Sequence, residues 1–70
     1  MLIRYLGNTI KNRRKVLNIT QKHLAELAGV NVNTIARIEN GSISPGIEVI
    51  NSILDVLGME LAVNIKMGGG

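Results

Sequence analysis

Seventy residues make one domain, and a domain that small buries only about 60% of the surface its unfolded chain exposes, so a partner would add useful burial. Hydrophobic residues form 46% of the chain but Tyr5 is its one aromatic, which assigns the core to Ile, Leu and Val and points to a small helical bundle without a cofactor. The absence of cysteine excludes disulfides, thiolate metal sites and a cysteine nucleophile, and the net charge of +3 is split unevenly: seven basic residues against Glu26 through Arg37, then Lys66 against four acids. A polyanion partner is expected on the basic half, through long-range attraction and counterion release.

No apolar run approaches the roughly 20 residues needed to span a bilayer. The opening MLIRYLGN lacks the order of a secretory signal, so a cytoplasmic location without membrane association is expected. The first helix is predicted from Ile3 to Leu17, with Ile3, Leu6, Ile10, Val16 and Leu17 as its apolar stripe. Gly7 inside it would cost about 1 kcal/mol. The run Lys11, Asn12, Arg13, Arg14, Lys15 spreads its charges around the helix, so one cation must approach the apolar boundary. Arg14 is the candidate, four residues after Ile10 and three before Leu17.

Asn18 and Ile19 form a corner into residues 20–40, on which the rest of the chain is organised. Leu24, Leu27, Ala28, Ile35 and Ile38 recur at helical steps, but the phase breaks at Gly29 and Val30, so two short helices with a turn are expected. Thr20 caps the first, Gly29 closes it, Asn31 caps the second, and Asn40 with Gly41 stops it. The second helix then carries Val32, Asn33, Thr34 and Arg37 on an outer face with little reason to meet a core and good reason to meet base edges. This is a helix-turn-helix whose second helix enters a DNA groove.

Ser44 and Pro45 read as the cap and first position of a fourth helix, with Ile47, Ile50, Ile53, Leu54 and Leu57 on one stripe, Val49 and Val56 beside it, and Gly58 as its end. Beyond Gly58 the period drops to two: Met59, Leu61, Val63, Ile65 and Met67 alternate with more polar positions. A lone strand leaves its backbone groups unpaired. Pairing with the same strand of a second chain, around a two-fold axis, is the economical remedy. The expected organisation is a DNA-binding domain over 1–58, a dimerisation strand over 59–67 and a flexible glycine tail over 68–70.

Arg14, Thr20-Gln21, Leu24-Ala25, Ala28-Gly29-Val30, Ile35, Ile38-Glu39-Asn40-Gly41, Pro45 and Leu57-Gly58 together resemble the Cro/C1-type (Xre-like) helix-turn-helix repressors. The resemblance covers most of the chain, from Leu6 to Gly58. It implies a mainly α, four-helix lambda-repressor-like domain that binds operator DNA as a homodimer. The C-terminal strand in place of a fifth helix resembles small antitoxins of the HipB type, which implies a toxin protein as a further partner. By the same resemblance Gln21, Lys22 and Asn40 contact phosphates, Gln21 also bracing the third helix, and Val32, Asn33, Thr34 and Arg37 approach bases. Arg14 and Glu39 resemble an ion pair tying the first helix to the end of the third.

The expected function is therefore a transcriptional regulator, a repressor in the first instance, reading a two-fold symmetric operator in double-stranded DNA. The alternative is a protein-interaction module that kept the fold and uses its strand edge. An enzyme is not expected: no nucleophile has an evident base, His23 stands without a carboxylate constellation, and no metal-ligand spacing occurs.

Overall fold

In the computed structural model, residues 2–62 are described, and they form four α-helices: α1 Leu2–Val16, α2 Gln21–Ala28, α3 Val32–Glu39 and α4 Ile47–Val56. Helix α3 packs on α1 and α2, and α2 also packs on α4. The fully buried side chains Ile10, Leu24, Ile35, Ile38, Ile53 and Leu57 come from every helix or its end, so a single core joins all four.

The helix-turn-helix is built by its caps. The Thr20 hydroxyl accepts from the His23 backbone N–H at 3.0 Å, and the Asn31 side chain accepts from the Asn33 N–H at 2.8 Å. Each satisfies one of the orphan donors of a helix start. Between them Gly29 takes a left-handed φ of 72°, which lets Val30 N–H return to the Ala25 carbonyl at 3.0 Å and turns the chain in three residues. Asn18, the non-glycine residue with positive φ among the described residues, closes α1 in the same manner with Ile19 N–H on the Arg14 carbonyl.

Three sequence expectations are corrected. In α1, Val16 is 73% exposed and Ile3 and Leu17 are exposed too, so only Leu6 and Ile10 of the expected stripe meet the core. Val16, six residues after Ile10, lies about 120° around the helix from the core-facing side. Ile3 and Leu17 share the face of Ile10 but stand in the first turn and just past the end of the helix. In α2, Leu27 is exposed, and Ala25 takes the buried place beside Leu24. Ser44 and Pro45 do not start α4. Its cap is Gly46, without a side-chain cap bond, and its first intrahelical bond runs from Ile50 N–H to the Gly46 carbonyl at 3.0 Å. Starting two residues later puts Ile47 at the first helical position, where it is 65% exposed and not part of the core stripe.

Residues 59–62 form neither helix nor strand. Met59 packs against the core and Leu61 is exposed. The rest of the expected strand, including Val63, Ile65 and Met67, and the glycine tail lie outside the described residues.

Candidate nucleic-acid interface

The chain buries one charged side chain, Glu39, among the described residues, and this carboxylate organises the interface. Arg14 grips it with two parallel hydrogen bonds, Nε to Oε2 at 2.7 Å and Nη2 to Oε1 at 3.0 Å. The third guanidinium nitrogen, Nη1, donates to the Ile19 carbonyl at 2.9 Å, and Gln21 Nε2 donates to Glu39 Oε1 at 3.1 Å. Glu39 at the end of α3 is thus held by α1 through Arg14 and by α2 through Gln21.

The Arg14 and Glu39 side chains are only 11% and 3% exposed, so neither charge has much water to fall back on. The hydrogen bond to Glu39 raises the Arg14 pKa above its ordinary value; charge attraction to Glu39 adds to this and burial opposes it. The guanidinium is always charged, and the planar fork makes the contact directional as well as strong. No buried side-chain polar atom is left without a partner among the described residues.

Behind this lock, α1 lies directly on the end of α3. A Cβ placed on Gly7 would come 2.9 Å from the Glu39 carbonyl oxygen and closer still to that of Ile38. Only glycine lets the two backbones meet at that distance.

With its back fixed, α3 turns its other side outward. Val32 is 40% exposed, Asn33 and Arg37 are exposed, and Thr34 is half-buried. Asn33 and Arg37 are one helical turn apart and share a face. Val32, Asn33 and Thr34 fill the first turn, the end of a helix that meets a groove floor first in this motif. Gln21 and Lys22 open α2, half-buried and exposed respectively. At the far end of α3, the Asn40 side-chain oxygen accepts from Ser42 N–H at 2.9 Å and also from the Ser42 hydroxyl, so its amide nitrogen is the group left to donate outward. The expected base-facing set therefore lies on one helix, and of the expected phosphate-facing residues Asn40 ends that helix while Gln21 and Lys22 open α2, Gln21 reaching Glu39 beside Asn40.

Two residues escaped the sequence reading. Arg13 read as one more cation in a basic run, yet its Nε donates to the Leu57 carbonyl at 2.9 Å. Gly7 read as a tolerated flaw in α1. Nothing local distinguishes either, because the partner in each case is a backbone oxygen far along the chain. The described residues contain no group of three His, Cys, Asp or Glu side chains that could hold a metal ion, and no described helix is long and apolar enough to cross a membrane.

An exposed, capped second helix, locked from behind to α1 and α2, defines a DNA-binding helix-turn-helix. Residues 10–64 match the helix-turn-helix family profile, and the chain belongs to that family, in its Cro/C1 (Xre) type, whose members are DNA-binding transcriptional regulators. It is 31% identical over 67 residues to the antitoxin PezA of Streptococcus pneumoniae, covering 84% of this chain and 42% of that protein. It is 41% identical over 51 residues to a helix-turn-helix-type transcriptional regulator of Methanothermobacter thermautotrophicus, covering 73% of this chain and 74% of the relative. Among solved structures, the clp gene regulator ClgR from Corynebacterium glutamicum superposes with a TM-score of 0.81 at 25% identity, over 84% of this chain and 63% of ClgR. The chain thus spans less than half the length of PezA and about two thirds of ClgR.

Proposed function

We propose that this chain is a sequence-specific regulator, a repressor in its simplest form, that binds a two-fold symmetric operator as a homodimer. The observation that carries the reading is the contrast between the two sides of α3: the buried side is locked at Glu39 by Arg14 and Gln21, and the outer side presents Val32, Asn33 and Arg37 to solvent. An element fixed that firmly with a free polar face suits reading a rigid ligand. Asn33 suits a bidentate contact to adenine, Arg37 one to guanine, and Val32 a thymine methyl, with Thr34 at the edge of the set. Lys22, Gln21 and Asn40 would set the register on the phosphates.

In this reading residues 59–67 pair across the two-fold axis, and two copies of α3 enter successive major grooves about 34 to 36 Å apart. The similarity to antitoxin PezA favours a toxin protein as a second partner. Selection from random-sequence duplexes at two salt concentrations tests the core of the proposal. Wild type should enrich a two-fold motif, and Arg37→Ala should relax one position in each half. Weak, salt-sensitive binding with no enriched motif would reject it and favour a protein-interaction module.

A further inference from the structure

Arg13 and Arg14 are neighbours on α1 that hold the ends of two different helices. Arg14 grips Glu39 at the end of the reading helix α3. Arg13 donates to the Leu57 carbonyl at the end of α4, 44 residues away. The last carbonyls of a helix have no partner within it and carry the negative end of its dipole, so a guanidinium there satisfies an orphan acceptor with favourable charge.

Leu57 is also where the chain leaves the core. Gly58 follows with a φ of 71°, Met59 N–H returns to the Leu54 carbonyl at 2.8 Å, and Met59 packs against the core. Arg13 Nη2 lies 3.6 Å from the point where a Cβ on Gly58 would stand, so the guanidinium sits beside the turn itself. The turn over residues 57–59 is therefore tied to α1, and α1 is tied to α3. Two consecutive side chains carry that relationship.

We propose that Arg13 is a positioning residue for operator spacing: by holding the Leu57 carbonyl it sets the angle between reading helix and C-terminal segment, and hence the half-site separation the dimer accepts. This rests on the homodimeric reading above. An angular change at the exit point is magnified over the distance between two reading helices, while each half-site contact stays as it was.

The test is selection on duplexes carrying two half-sites at varied spacers, using the full chain as wild type, Arg13→Met and Arg13→Lys, below the melting range of each. Sedimentation and affinity for a single half-site accompany it. Wild type should favour one spacer. Arg13→Met should enrich the same half-site sequence with its preference over the neighbouring spacers reduced about five- to tenfold, the scale of one ordinary hydrogen bond. Single half-site affinity should not move, and Arg13→Lys should recover part of the preference. An unchanged spacer preference in Arg13→Met overturns the proposal, as does a parallel loss of single half-site affinity, which would make Arg13 a phosphate contact. If Arg13→Met does not fold, Arg13→Gln takes its place under the same criteria. A monomeric wild type that enriches single half-sites alone would instead refute the homodimer, and this inference with it.

Discussion

Gly7 of α1 lies against the carbonyl oxygen of Ile38 so closely that no Cβ fits between them. The contact brings the first helix onto the last turn of the reading helix, and it reverses the sign of an ordinary substitution. Gly→Ala inside an exposed helix should stabilise by about 1 kcal/mol through propensity alone. Here the added methyl meets backbone, which cannot rotate away, so Gly7→Ala should destabilise by about 1 to 3 kcal/mol. Urea denaturation of the two proteins decides it, and a raised midpoint would show that α1 is free to shift.

The Arg14 and Glu39 pair predicts a different pattern. Glu39→Ala should cost about 3 to 5 kcal/mol, because it strands a guanidinium that is nine-tenths buried. Replacing both, as in Arg14→Met with Glu39→Leu, should cost less than that single change, since no uncompensated charge remains. The raised Arg14 pKa means that its stabilising contribution is fully present below the ordinary arginine value and fades only as pH rises through the still higher folded value. Arg14 titration therefore adds no slope to stability between roughly pH 5 and 9. A cycle in which the double variant is the least stable would contradict the account.

Legible in the sequence was whatever is signalled locally. Thr20, Gly29, Asn31 and Gly41 each act on backbone within a few residues, so the two short helices and their corner follow from residue types and spacing alone. The Arg14 and Glu39 pair was legible by resemblance, as was the bracing of α3 by Gln21; that the Gln21 amide does so at the Glu39 carboxylate needed the fold. Ser44-Pro45 carries an equally local start signal and yet the helix begins after Gly46, whose carbonyl accepts its first intrahelical bond. Gly7 and Arg13 were illegible for the opposite reason. Their partners, at Ile38 and Leu57, are brought near only by packing.

Positioning and reading should separate experimentally on the two helices of the motif. Lys22 is exposed at the start of α2 and makes no ion pair among the described residues. Lys22→Ala should weaken binding about evenly across sequences and reduce the slope of log affinity against log salt by about 1. Asn33→Ala should leave that slope in place and lose about 1 to 3 kcal/mol of discrimination at one base pair. Titrating both variants on the selected site and on scrambled duplex, at three salt concentrations, gives both quantities. Equal losses on the two duplexes for Asn33→Ala would move that residue to the phosphate set.

The two N-caps make the final contrast, between a helix start that uses a side chain and one that does not. Thr20→Ala removes the acceptor for the His23 N–H and should cost about 1 kcal/mol. Ser44→Ala, at the position where sequence alone would put the cap of α4, should cost nearly nothing, because the helix is capped at Gly46 without a side-chain bond. Gly46 has φ −69° and ψ 162°, open to any residue, and a Cβ there meets nothing within 4 Å. Gly46→Asp should therefore add the missing acceptor, complement the helix dipole and stabilise by a few tenths of a kcal/mol. Thermal melts of the three variants order them: Thr20→Ala lowest, Ser44→Ala level with wild type, Gly46→Asp highest. A fall in Ser44→Ala comparable to that in Thr20→Ala would mean that α4 starts at the Ser-Pro pair after all.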